Sequence, residues 1–258
     1  MRRHLSALEE RGYAVIEDAL PPAQLERLTR AVDRVWETRC RERGALHELS
    51  FLGHDRAFLE LLDQPLVLSL VSATLGWNVY VYHCHLDVHP PLRGEPEQRW
   101  RWHQDGGRQN VDVESPRPRL SVKAAYFLTD VATPEHGALW VLPGSHHDDR
   151  LARPSDGALR PPGAEPVLVR AGSAVLFDRR VWHARGDNTS LSTRKALFYA
   201  YTYRWIRLRD ELSLESDIVE SLDPLRRQLV GYGESATDYW MPGENLPLRA
   251  LHARGARP

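Results

Sequence analysis

The 258-residue chain is almost without lysine: of its 34 basic residues all but Lys123 and Lys195 are arginine, a bias that fits GC-rich coding. Cysteine is as scarce, with only Cys40 and Cys84, so there is no disulfide framework and a reducing, cytoplasmic setting is expected. No apolar run reaches the roughly 18 residues of a membrane helix. The opening MRRHLSALEERGYAV carries Glu9, Glu10 and Arg11 where a secretory signal needs its apolar stretch. Excess charge is missing too: 34 basic residues stand against 35 acidic ones, scattered, so no global field recruits nucleic acid or an anionic membrane. A small-molecule partner is expected. What the chain does have is 42% hydrophobic residues, enough for a full core and too many for a disordered protein.

Two textures alternate along the chain. Tyr13-Ala14-Val15-Ile16 reads as a short strand, followed by a helix that Pro21 and Pro22 open and Gly44 closes, with Leu25, Leu28, Val32, Val35 and Trp36 on one stripe. A second helical patch spans 55–76 and ends at Gly76. From Asn78, short runs rich in Val, Tyr, Phe, Leu and Trp occur at 78–88, 100–104, 120–128, 138–142, 166–169, 173–177, 181–184 and 194–205, bounded by Gly, Pro, Asp or Asn. This pattern predicts a mainly β protein with flanking helices and a jelly-roll core, a double-stranded β-helix of cupin-like type. One domain is expected over 1–258: a helical part at 1–77, the core at about 78–208, and a helical tail at 209–258. In that tail Ile218, Leu222, Leu225 and Leu229 share a face, and the last dozen residues are expected to be loosely held. The polar, proline-rich segment 144–165 is expected to be a long loop over one mouth, either an ordering lid or a static cover.

The chemistry concentrates in Arg101-Trp102-His103-Gln104-Asp105-Gly106-Gly107. On a strand His103 and Asp105 project from one face and can reach a common metal. His183, after the apolar run Ser173 to Phe177, is the best third donor. Two histidines and a carboxylate on one face of an octahedron leave open positions that suit non-heme Fe(II) and O2. Arg194 follows His183 by eleven residues, and a hairpin would return its guanidinium beside that histidine. A dicarboxylate that chelates iron at one end needs such a bidentate cation at the other.

These residues make the chain resemble the phytanoyl-CoA dioxygenase family of Fe(II)/2-oxoglutarate oxygenases. His103-Gln104-Asp105 matches its iron motif. His136-Gly137-Ala138-Leu139-Trp140-Val141-Leu142-Pro143-Gly144-Ser145-His146 is similar to its NGxLxxxPGSH stretch, and His183, Asn188, Ser190 and Arg194 follow in order. The resemblance implies that His103, Asp105 and His183 bind Fe(II), that Arg194 clamps the C5 carboxylate of 2-oxoglutarate, and that O2 is the oxidant. It also implies an enzyme that oxidises a C–H bond of a small molecule, such as a natural-product intermediate. The expected outcome is hydroxylation, or oxidative ring closure on a glycosylated or oligosaccharide antibiotic. The chain departs from the pattern at two points: Arg185 replaces a serine after the distal histidine, and His89-Pro90-Pro91 replaces Lys-Pro-Pro. Lys123, in the apolar run Leu120 to Tyr126, is the second candidate cation for the co-substrate; it either pairs inward with a carboxylate or sits on a solvent face.

The expected substrate contacts are His85, Arg108, Trp140 and Arg185. His83, His85 and His89 alternate on one strand face, as pocket lining or as a second metal site. Asp105 fills the position a halogenase leaves vacant, which argues against halogenation. A cupin-type metal-dependent hydrolase or isomerase would give Arg194 no required role, and the intact ligand set counts against a non-catalytic jelly-roll binding protein.

Overall fold

The protein is described from a computed structural model, which covers residues 1–40, 42, 44–96, 98–106, 115–210, 212, 214–232, 237–243 and 246–255. Helix α1 (Arg2–Arg11) ends at Gly12, whose φ of 80° lets its N–H reach Leu8 O. Strand β1 (Tyr13–Ile16) leads to helix α2 (Pro22–Arg39), with proline at its first position as expected. That helix stops before Gly44: Cys40 leaves the helical conformation, and Trp36 Nε1 donates to Gly44 O at 2.8 Å. Strand β2 (Leu46–Leu49), which the sequence reading lacked, follows. The helical patch at 55–76 divides into α3 (Arg56–Leu59) and α4 (Pro65–Leu75); Gln64 caps the second by accepting from Val67 N.

The strands that follow are β3 (Val79–His89), β4 (Ser121–Phe127), β5 (Leu139–Val141), β6 (Glu165–Val167), β7 (Ala174–Asp178), β8 (His183–Arg185) and β9 (Arg194–Tyr203). They form a six-stranded sheet ordered β1-β7-β4-β9-β3-β2 and a three-stranded sheet ordered β6-β5-β8, with antiparallel pairing throughout. The tail is helical: α5 (Ser216–Ser221), α6 (Pro224–Leu229), α7 (Thr237–Trp240) and α8 (Pro247–Gly255). Of the last dozen residues, expected to be loosely held, 256–258 lie outside the described residues, and the last helix is held at its start. Leu248 is buried and its N–H donates to Gln228 Oε1.

Alternation along the large sheet separates two cores. Val122, Ala124, Tyr126, Leu197, Tyr199 and Tyr201 face the helices. Three tyrosine hydroxyls there, on Tyr126, Tyr199 and Tyr201, donate to the carbonyls of Leu61, Phe58 and Leu62. Ala125, Phe127, Val175, Phe177, Ala196 and Phe198 face the small sheet. Strand β3 changes phase at a bulge between Val81 and His83. Val79 and Val81 face the helices before it, Cys84, Leu86 and Val88 after it, so His83, His85, Asp87 and His89 turn to the face between the sheets.

Two expectations fail locally. Residues 100–104 form no strand; only His103 pairs, exchanging backbone hydrogen bonds of 3.0 Å with His183. Strands β8 and β9 form no hairpin either, since they lie in different sheets. The crossing turn is pinned by Asn188 Nδ2, which donates to His89 O and Ser192 O at 2.7 Å each.

Candidate metal and co-substrate centre

The His103–His183 bridge puts two imidazoles side by side with ring centroids 4.3 Å apart, and Asp105 N donating to Arg179 O swings the aspartate beneath them. The Nε2 atoms of both histidines stand 3.9 Å from Asp105 Oδ1, and the three ligand atoms lie within 4.8 Å of one another. Each Nδ1–H donates to a backbone carbonyl at 2.9 Å, His103 to Arg101 O and His183 to Val181 O. A carbonyl only accepts, so each Nδ1 carries a proton, and in the neutral ring the lone pair sits on the Nε2 turned toward the carboxylate, the tautomer a metal requires. The donor set and spacing fit a divalent ion of the iron or zinc type held on one face.

Lys123, alternating inward on β4, places Nζ 2.6 Å from Asp105 Oδ2. Burial would raise the Asp105 pKa, but Lys123, His183 and His103 outweigh it and hold the carboxyl well below its usual range. Burial, reinforced by His103, pushes His183 down to about 3, so it stays neutral. Lysine thus faces the iron motif, as an inward ammonium paired with a carboxylate.

Arg194 opens β9 and is 2% exposed. Its Nε and Nη1 have no hydrogen-bond partner among the described residues, and its guanidinium lies over Phe127. Burial pulls its pKa down to about 10, with Asp87 offsetting and Arg185 adding to the effect. A buried guanidinium with empty donors is a ready seat for a carboxylate.

Arg194, Lys123 and the three metal-ligand candidates line one cavity of about 460 Å3. His85 lines it too, stacked on Phe198 at 4.2 Å. Arg185 is at its rim, with Nη1 donating to His89 Nε2 at 2.7 Å. Trp140 lies outside it: Leu139 faces inward, so Trp140 points the other way, under Arg160 at 3.9 Å. Arg108 falls outside the described residues. His83, His85 and His89 do not converge as one donor set, because His83 pairs with Asp210 and His89 turns to Arg185. Instead, His47, His85 and Asp87 form a second close cluster, in which His47 Nδ1 donates to Asp87 Oδ1 at 2.7 Å. Asp87 was missed, although His85-Leu86-Asp87 repeats the spacing of His103-Gln104-Asp105; His47 carried no signal.

A second cavity, of about 900 Å3, shares His103, Asp105 and Arg209 with the first and includes Tyr82, Trp102 and Arg179. Segment 144–165 lines neither cavity. Its Leu159 and Arg160 line a smaller cavity that shares Arg99, Arg101 and Arg185 with the first, and the segment also braces the motif: Asp148 O accepts from Gln104 Nε2 at 3.0 Å and Trp182 Nε1 at 2.9 Å, and Leu159 O accepts from Trp102 Nε1 at 3.0 Å.

A family model described as phytanoyl-CoA dioxygenase matches residues 8–196. An uncharacterised protein of Mycobacterium tuberculosis is 31% identical over 262 residues, covering 95% of this chain and 91% of its own. The ectoine dioxygenase of Nocardia farcinica is 27% identical over 239 residues, 76% of each chain. Among solved structures, HygX from Streptomyces hygroscopicus, with nickel and 2-oxoglutarate bound, matches with a TM-score of 0.65 at 17% identity, covering 84% of this chain and 93% of its own. The carbocyclase SnoK from nogalamycin biosynthesis matches with a TM-score of 0.61 at 23% identity, covering 78% and 83%. These structural matches bear on the fold.

Proposed function

The chain belongs to the phytanoyl-CoA dioxygenase family, and from that premise we propose an Fe(II)- and 2-oxoglutarate-dependent oxygenase in which His103, Asp105 and His183 hold the iron and Arg194 the co-substrate. The observation that carries this reading is the pairing of two Nε2 atoms and a carboxylate with a buried guanidinium, whose Nε and Nη1 have no hydrogen-bond partner among the described residues, in one cavity. The facing sheets support a double-stranded β-helix core, and one catalytic domain over 1–258. The free Cys40 and Cys84 suit a reducing cytoplasm.

Iron bound here supplies O2 activation coupled to conversion of 2-oxoglutarate to succinate and carbon dioxide. The chain's own residues do the rest. Backbone carbonyls of Arg101 and Val181 hold each imidazole in its ligand tautomer. Lys123 keeps Asp105 ionised and occupies Oδ2, so Oδ1 is the oxygen turned to the histidines. Arg194 receives the far carboxylate against the Phe127 ring, where water competes poorly. His103, with its side chain 55% exposed, stands on the open side, where a substrate carbon approaches. The substrate is a small molecule, in keeping with ectoine dioxygenase, and the antibiotic-pathway neighbours favour a natural-product intermediate undergoing hydroxylation or ring closure.

Succinate formation from 2-oxoglutarate under air, with and without added Fe(II), tests the reading. Iron-dependent succinate that falls on Arg194→Gln supports it; 2-oxoglutarate left intact with iron fully bound contradicts it.

A further inference from the structure

The second cavity meets the first at His103 and Asp105, so the iron motif stands on the partition between two chambers. Arg194 lines the inner one; Arg179 lines the outer one with Arg117, Arg207 and Arg209. Asp105 is the only carboxylate among the described residues lining that outer chamber, and Lys123 already holds it.

Arg179 stands out among these cations. It follows Asp178 at the end of β7 and is 8% exposed. Its neighbours Arg119 and Arg180 share the buried Asp178 carboxylate, whereas Arg179 turns away from it. Its one side-chain hydrogen bond among the described residues runs from Nη2 to Gly106 O at 3.3 Å. A planar fork with free N–H groups suits an oxyanion. Trp102 and Trp182, whose indole N–H groups are taken up by Leu159 O and Asp148 O, complete the wall.

Building on the oxygenase reading, we propose that the substrate carries an oxyanion, phosphoryl or carboxylate, which Arg179 receives in the outer chamber with Arg117 and Arg209. The inner guanidinium then serves the co-substrate and the outer one the substrate, with the target carbon brought over His103 between them.

Phenyl phosphate and benzoate, each joining a ring to one oxyanion, are the probes. They are titrated by calorimetry into the full chain loaded with Fe(II) and 2-oxoglutarate without oxygen, while charge-transfer absorption reports co-substrate binding independently. We expect at least one probe to bind, with affinity falling tenfold or more in Arg179→Gln and partly restored in Arg179→Lys, and the absorption band unchanged. The tighter probe identifies the oxyanion. A wild-type protein that shows the band but binds neither probe, or binds them as well after Arg179→Gln, overturns this proposal alone. Absence of the band in the wild type overturns the oxygenase reading and, with it, this one.

Discussion

Lys123 and Asp105 divide one carboxylate between two tasks: Oδ2 lies 2.6 Å from the ammonium, and Oδ1 stands 3.9 Å from both imidazole nitrogens. Removing the cation takes away the strongest charge compensation of a buried carboxylate, which a bound metal could restore. Lys123→Met should therefore destabilise the metal-free protein by about 3 kcal/mol or more, the scale of a broken buried pair. Added Fe(II) or Co(II) should recover most of that loss. Thermal unfolding with and without metal checks this; equal losses in both states would show that Lys123 does not act through Asp105.

Arg194→Lys keeps the charge and loses the fork. The KM for 2-oxoglutarate should rise about 30-fold, equivalent to roughly 2 kcal/mol for a buried charge-assisted contact. Steady-state kinetics varying 2-oxoglutarate measure it, and an unchanged KM would move the clamp to another cation.

How much of this was legible beforehand varies by residue. His183 and Arg194 were readable because motif order survives even where local pairing does not: they lie in different sheets, yet line one cavity. His103 was readable as a member of the His103–Asp105–His183 cluster and misread as a strand residue, since a single bridged pair leaves no alternating pattern. The bulge after Val81 set the inward face of β3, and no residue type announces it, so Asp87 went unseen. Strand β2, Leu-His-Glu-Leu, has no β-branched residue to mark it. Arg179 was hidden in a chain where nearly every cation is arginine.

Gly12 shows how close the N-terminal helix comes to the segment that leads into His183. With φ at 80°, a Cβ there would stand 2.7 Å from His146 Nδ1 and 3.1 Å from Val181 Cγ2. Gly12→Ala should cost roughly 2 kcal/mol or more, from left-handed strain plus overpacking. Gly157→Ala has a similar φ and nothing within 4 Å, so only the strain should appear. Chemical denaturation of the two variants separates these contributions.

Acid should destabilise the fold through its buried histidines. His146 Nε2–H donates to Glu9 O, leaving Nδ1 buried with no hydrogen-bond partner among the described residues, and burial lowers its pKa from 6.5. The folded state thus binds that proton less readily than the unfolded chain. Its contribution is fully present above pH 6.5 and is lost as pH falls below that value. Melting temperatures measured downward from pH 7 should fall, and less steeply in His146→Gln, which retains a donor for Glu9 O. Parallel curves for the two proteins would exclude His146 as a contributor.

The most direct test of the central claim is anaerobic Co(II) titration, with the ion as a spectroscopic stand-in for iron, of the wild type and of His103→Ala, Asp105→Ala and His183→Ala. One tight ion per wild-type chain is predicted, with at least a tenfold loss of affinity in each variant, as expected when a three-ligand face loses one donor. Wild-type affinity and an unaltered spectrum in His183→Ala would place the metal elsewhere and contradict the account.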